Sequence, residues 1–228
     1  MDRRIVHSLA PVVLVGGGQV RSEDLDAALK LGTRVVAADA GLDRALAAGV
    51  VPEAVIGDLD SVSAEGLAQL KVEDRHQVNE QDSTDFDKAL RHVAAPVVIG
   101  VGFTEGRLDH QLAVLHSLLV HAHRPCVLLG QEEITLLAPP QIRVPTREGD
   151  VVSLFPLVPV SGRSMGLKWP IDGLAFAPGK KIGTSNVAHG PVELELDGPG
   201  MILMLPRALI QPVVAALSQV SAPRWPAP

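Results

Sequence analysis

Apolar positions along this chain gather in short runs, at 12–15, 34–38, 54–56, 96–101 and 126–129, separated by stretches with a different rhythm. Between residues 22 and 31, Leu25, Ala28 and Leu29 repeat at helical spacing behind Ser22, a residue suited to capping, and 108–121 is a longer apolar-periodic helix. Alternation of this kind predicts βα units on a mostly parallel sheet. The pattern changes near Ala138-Pro139-Pro140, where consecutive prolines continue neither a helix nor a central strand. Beyond that point, β-like pieces at 151–155, 192–196 and 201–205 are punctuated by Pro178-Gly179 and Asp197-Gly198-Pro199-Gly200. The pattern thus predicts an α/β domain over 1–138 and a small all-β domain over 139–206. The extension, 207–228, opens helically and ends in a Pro- and Ala-rich stretch, 221–228, expected to be disordered.

Composition narrows the class of protein. Hydrophobic residues make up 46% and charged residues 20% of 228, a profile that supports a sizeable core, and no apolar run reaches the ~20 residues needed to span a bilayer. The opening residues Met1, Asp2, Arg3 and Arg4 lead into a mixed segment with His7 and Pro11, unlike a secretory signal, so a cytoplasmic protein is expected. A net charge of -6 without a basic stripe argues against nucleic-acid binding. The single cysteine, Cys126, lies in an apolar run and reads as an inert buried thiol.

Candidate chemistry begins at Gly57-Asp58-Leu59-Asp60-Ser61, directly after the run at 54–56. A strand there delivers both carboxylates to the edge where open α/β sheets keep their ligands. Asp and Ser are also ordinary in turns and caps, so the pentapeptide alone leaves both readings open. Two further clusters shift the balance. Gln81-Asp82-Ser83-Thr84-Asp85 opens a helix through Ala89-Leu90 with Lys88 one turn on, Asp82 or Ser83 being the expected cap, and Gly106-Arg107-Leu108-Asp109-His110 follows the run at 96–101. On a parallel sheet all three gather on one edge. Carboxylates interspersed with cations suit Mg²⁺ and a polyphosphate, the metal taking hard oxygen ligands and arginine gripping phosphate. Gly16-Gly17-Gly18 follows the first run, yet it lacks the dinucleotide fingerprint and no Walker A pattern is present.

Six segments taken in order resemble the thiamine pyrophosphokinase family: Asp39-Ala40-Gly41, Gly57 to Ser61, Asp82 to Asp85 with Lys88-Ala89-Leu90, Gly106 to His110, Gly166-Leu167-Lys168-Trp169 and Thr184-Ser185-Asn186. The resemblance implies a Rossmann-like catalytic domain, a C-terminal β-sandwich and a homodimer with active sites between subunits. The implied reaction moves the pyrophosphoryl group of ATP to the hydroxyl of thiamine, releasing AMP. Carried over residue by residue, Asp58, Asp60, Asp85 and Asp109 surround Mg²⁺ and the phosphates as metal and catalytic residues, with Asp85 orienting or deprotonating the hydroxyl. Asp39, Gln81, Thr84, Lys88 and Arg107 contact ATP. Trp169, Ser185 and Asn186 hold thiamine, whose cationic thiazolium suits a tryptophan face. Two positions depart from the family's pattern: Glu105 stands where a glycine is usual before Gly106, and Ala40 follows Asp39. The alternatives are a pyrophosphokinase for another heterocyclic alcohol such as a pterin, and a non-catalytic nucleotide or thiamine sensor.

Overall fold

The apolar runs become strands because Val and Ile, stiff at Cβ, pack well on a sheet covered on both faces. A computed structural model describes residues 4–227. Its contacts divide the chain into one unit running through Ser117 and including Leu128–Gly130, and a second formed by Leu118–Val127 and the chain from Gln131 onward. This division differs from the one expected at Pro139-Pro140, since the end of a helix and part of a strand go with the second unit.

The first unit contains β1 (Val6–His7), β2 (Val12–Val15), α1 (Ser22–Leu29), β3 (Arg34–Ala38), α2 (Gly41–Ala47), β4 (Ala54–Gly57) and α3 (Ala64–Ala68). There follow β5 (Arg75–Gln77), α4 (Asp85–His92), β6 (Val93–Ala94), β7 (Val98–Val101), and then α5 (Leu108–Val120) and β8 (Cys126–Leu129), which both cross the division. Strands β7, β2, β3, β4 and β5 lie side by side, all parallel, with Val13 paired to Ile99 on one side and Val35 on the other. β1 and β6 form a separate parallel pair. The chain steps outward from β2 through β3 to β5 and then returns to β7 on the opposite flank. The sheet order therefore reverses between β2 and β7, the point at which such sheets open a crevice beyond their carboxyl ends. Every residue of β2, β4 and β7 is buried.

Packing beneath one corner bears on the chemistry. Ala37, Leu42, Val55 and Leu70 form a buried cluster against which Leu59 and Val62, from the loop after β4, also pack. Gly41 begins α2 hard against β2, where a β-carbon would run into the Val15 carbonyl. The sequence pattern gave no sign of α2, α3 or β5. β5 is Arg75-His76-Gln77, a polar edge strand without an apolar run.

The second unit contains β9 (Glu133–Leu137), β10 (Gln141–Val144), β11 (Val151–Pro156), β12 (Val160–Leu167), β13 (Ala175–Phe176), β14 (Gly183–Leu196), β15 (Met201–Pro206) and α6 (Ile210–Ser218). Its pairings are antiparallel: β14 with β10, β11 and β12, β15 with β11 and β9, and β12 with β13. The early part of β14, residues 183–187, pairs with β11, and its later part lies between β10 and β12. Alternate residues of β10 and β11 are buried, the signature of a sheet with one wet face.

The chain's end departs from the expected disorder. Residues 219–227 have no regular structure, but the Trp225 Nε1–H donates to the Ala138 carbonyl at 2.9 Å, and Trp225 lines a small pocket together with Leu118, Cys126, Leu137, Pro139 and Leu217. Pro228 and the opening Met1, Asp2 and Arg3 lie outside the described residues. Cys126 is buried as expected, and burial pushes its thiol up, away from reactivity. Among the described residues no helix is long and apolar enough to cross a membrane.

Candidate active site

Three carboxylates meet where β3 and β4 end. Asp39, Asp58 and Asp60 each bring an oxygen within 4.8 Å of the others. Asp39 leaves β3 with φ 45°, and Leu59 has φ 65°, both in the left-handed region that L side chains enter only when their surroundings compel it. For Leu59 that compulsion is visible. Its side chain packs against the buried cluster, so the chain must twist to aim Asp58 and Asp60 outward. Gly57 allows the close approach, because a β-carbon there would stand 2.9 Å from Asp39 Cβ and 3.1 Å from Asp85 Oδ1.

Asp39 is 4% exposed, and its Oδ1 is buried without a hydrogen-bond partner. Desolvation, then the charge of Asp85, raises its pKa above the ordinary carboxylate range. A buried anionic oxygen that no protein donor satisfies is a standing cost unless a cation meets it. The donor set fits a hard divalent cation, and Asp39, expected from the resemblance to contact ATP, lies within this acidic group.

Lys88 binds the floor of the site together. Although it is 2% exposed, its ammonium donates to Asp58 Oδ2 at 2.9 Å and Asp85 Oδ1 at 3.1 Å. Burial opposes its charge, but the two carboxylates outweigh that and hold its pKa above the ordinary value. In turn, the hydrogen bond from Lys88 lowers that of Asp58. α4 places both Asp85 and Lys88 on one face, one turn apart, and Thr84 caps it by accepting from Asp87 N at 3.3 Å. The cap expected at Asp82 or Ser83 falls instead on Thr84.

Above this floor lies a cleft of about 440 Å³ at the reversal point between β2 and β7. Gly17, Gly18 and Asp39 line it from the ends of β2 and β3, Thr84 and Asp85 from α4, and Glu105, Gly106 and Arg107 from the loop after β7. The glycine run that matched no phosphate motif is therefore part of the wall. Arg107 is exposed and paired with Asp109 at 2.6 Å, and each holds the other charged. The four-carboxylate set expected from the sequence is thus not assembled. Asp58 and Asp60 join Asp39, Asp85 lies beside them through Lys88, and Asp109, carried on the first turn of α5, is engaged by Arg107. Gln81 is exposed in the loop before α4 and is not among the residues lining the cleft.

In the second unit, Trp169 and Asn186 are locked together. The Asn186 side chain accepts from Trp169 N at 3.2 Å and donates to Trp169 O at 2.7 Å, while also accepting from Val187 N at 2.8 Å. Asn186 is 5% exposed, whereas the Trp169 ring is half exposed, with the Lys168 ammonium 4.8 Å from its centroid. The sequence reading gave both residues to a ligand. The geometry leaves the Trp169 ring exposed and makes Asn186 the clamp on its backbone. Ser185, with φ 60°, donates its N–H to Ser153 Oγ at 2.9 Å, leaving its own hydroxyl exposed on the strand.

Comparisons with known proteins bear on the family and the fold. Residues 25–128 match the family model described as thiamin pyrophosphokinase, catalytic domain, and residues 140–199 match thiamin pyrophosphokinase, vitamin B1 binding domain. Among curated relatives, "Thiamine pyrophosphokinase 2" of rice (Oryza sativa subsp. japonica) is 29% identical over 61% of this chain and 59% of its own length. "Thiamin pyrophosphokinase 1" of Caenorhabditis elegans is 24% identical over 59% and 62% respectively. The chain thus spans about three fifths of the curated relatives it matches. Solved thiamin pyrophosphokinases share the fold: that of Geobacillus thermodenitrificans superposes with a TM-score of 0.68 at 24% identity, covering 86% of this chain and 96% of that one. That of Candida albicans gives 0.71 at 15% identity, covering 86% and 88%. The molecule is a mixed α/β protein with a cleft at a sheet reversal. The chain belongs to the thiamin pyrophosphokinase family.

Proposed function

We propose that this protein transfers the pyrophosphoryl group of ATP to the hydroxyl of thiamine, giving thiamine diphosphate and AMP. The observation that carries the reading is the Asp39, Asp58 and Asp60 group, with its buried unpartnered oxygen, at the edge of a cleft large enough for a nucleotide. Mg²⁺ suits these hard oxygen donors and, when bound, supplies charge neutralisation across the polyphosphate. In this reading the parallel sheet is a Rossmann-like nucleotide unit spanning roughly 1–138, and the antiparallel strands over 139–206 form a sandwich that binds the vitamin.

The chain's own residues then divide the work. Lys88 fixes Asp58 and Asp85 at a set separation, so that the carboxylates are organised before substrate arrives. Arg107 turns from Asp109 to grip phosphate, and the Thr84 hydroxyl, accepting at the cap, keeps its proton to donate. Gln81 reaches the nucleotide from its exposed loop. Asp85 lines the cleft and takes or orients the proton of the thiamine hydroxyl, whose oxygen attacks the β-phosphorus as the bond to the AMP oxygen breaks. Trp169 offers a half-exposed face that already attracts the Lys168 ammonium, and the cationic thiazolium has the same complementarity. A homodimer, in which Trp169 and Ser185 of one copy serve the cleft of the other, completes the reading, together with residence in the cytoplasm.

Incubating purified protein with ATP, Mg²⁺ and thiamine, and separating the products, tests this. Thiamine diphosphate and AMP in equal amounts are expected. Binding of thiamine without product would favour a sensor, and turnover only with a pterin alcohol would favour the other pyrophosphokinase.

A further inference from the structure

We propose that Asp43 is a positioning residue for the acidic group, holding Asp58 and Asp60 in metal-binding geometry without touching substrate. The inference rests on the metal reading above. Asp43 stands on the first turn of α2, four residues after Asp39. Its carboxylate reaches across to the far end of the aspartate loop, where Oδ2 accepts from Ser63 N at 2.9 Å and Oδ1 accepts from Ser63 Oγ at 2.6 Å. Ser63 Oγ accepts in turn from Gly66 N at 2.9 Å, capping α3.

One short segment, 39–43, therefore carries both a member of the acidic group and the tether for the loop bearing the other two. The loop from Asp58 to Ser63 is held at few points. Gln77 Nε2 donates to the Asp58 carbonyl at 2.9 Å and Lys88 to the Asp58 carboxylate at 2.9 Å near its start, Leu59 and Val62 pack inward, and Asp43 fixes its end. Left-handed Leu59 needs such support on both sides, because relaxing toward ordinary backbone angles would turn Asp58 and Asp60 away from Asp39. A bidentate carboxylate is suited to the task, since two bonds fix orientation as well as distance. Partners one layer behind metal ligands typically account for 10–100-fold in metal affinity.

The experiment compares the full-length protein with D43A, D43N and S63A, using Mn²⁺ alone as the probe. Binding is followed by the paramagnetic signal of free Mn²⁺, hydrogen exchange is followed over residues 58–63, and melting temperature controls for folding. D43A is expected to weaken Mn²⁺ by about 10-fold or more and to speed exchange across the loop. D43N, which keeps one acceptor, and S63A, which keeps the backbone bond, should show smaller losses in the same direction. Unchanged Mn²⁺ affinity in folded D43A, or in D43N and S63A should D43A fail to fold, overturns the proposal. So does a wild-type protein that binds no Mn²⁺. If Mn²⁺ binding weakens as expected but the wild type makes no thiamine diphosphate, the positioning role stands and the kinase reading falls.

Discussion

Lys88 lies 2.9 Å from Asp58 although thirty residues separate them in sequence, so that a buried ammonium joins the loop after β4 to the start of α4. The pair is built for placement more than for stability. A charge buried to 2% costs desolvation that its partners must offset, and Asp58 and Asp85 are themselves partly in water. K88M removes the buried charge and leaves two carboxylates to repel each other. Unfolding in urea should show a loss of about 1–3 kcal/mol, below the usual cost of breaking a fully buried pair because both acids can rehydrate. Turnover should fall about 100-fold or more, as the acids lose their fixed separation. Activity within twofold of wild type would remove Lys88 from the site's machinery.

Asp39 should be a residue whose removal stabilises the protein while disabling it. Its pKa is raised by burial and by the charge of Asp85, so the folded state favours the protonated form. Its stabilising contribution is present below the ordinary carboxylate range and is lost as pH rises through the raised folded value. At neutral pH, D39N removes that burden and keeps the shape, and asparagine tolerates the positive φ. The variant should gain roughly 1 kcal/mol at pH 7 without metal, with the gain shrinking as pH drops toward 4. Asp58 behaves oppositely: its hydrogen bond from Lys88 stabilises at neutral pH, and that support is lost as pH falls through the lowered value. Thermal melts of wild type and D39N from pH 4 to 8 would show the Asp39 trend, whereas the Asp58 trend lies below the ordinary carboxylate range and needs melts of the wild type at more acid pH. A D39N protein less stable than wild type at pH 7 would contradict this account.

How far the sequence revealed this site depends on what each residue leans on. β2, β3 and β4 were legible because their burial on both faces leaves a continuous apolar run, and the acids at 58, 60 and 85 were legible because they follow such runs or open a helix. Asp39 was placed only by resemblance and given to the nucleotide. Its place beside Asp58 and Asp60 depends on β3 and β4 being adjacent and parallel, which local pattern does not encode. Asp109 shares with the others its spacing from a strand end, but sequence gives no sign that it pairs with Arg107 two residues away. Nothing in the sequence around Asn186 shows that its amide is engaged by the backbone of Trp169 and Val187. Trp225 lies in Pro-rich surroundings that carry no periodicity, and its hydrogen bond to Ala138 depends on a chain fold that local pattern does not encode.

The tail offers a control that separates stability from chemistry. Trp225 donates to Ala138 O and lines a small pocket within the second unit, a lining that contains none of the residues proposed to meet substrate. W225A should cost about 1–3 kcal/mol in urea unfolding, from lost burial and an unsatisfied carbonyl. W225F, which keeps the ring and loses the donor, should cost about 1 kcal/mol. Steady-state rates of both should stay within twofold of wild type at a temperature well below melting. A selective loss of activity would give the tail a role in catalysis instead.

Asn186 tests whether the thiamine surface is made by side chains singly or by a braced loop. All three of its hydrogen bonds go to backbone, two of them to Trp169. N186A leaves the Trp169 N–H and carbonyl without these partners, and the loop should relax even though no atom facing the ligand has been removed. The KM for thiamine should rise about tenfold at saturating ATP, with kcat and the KM for ATP little changed, because the loss falls on vitamin binding alone. W169A should raise the same constant further, and W169F less, since a phenyl ring keeps a weaker cation-binding face. If Asn186 instead touched thiamine directly and Trp169 stood independently, N186A and W169A would combine additively. Bracing predicts that the double variant is hardly worse than W169A, since removing the indole leaves Asn186 with little to position.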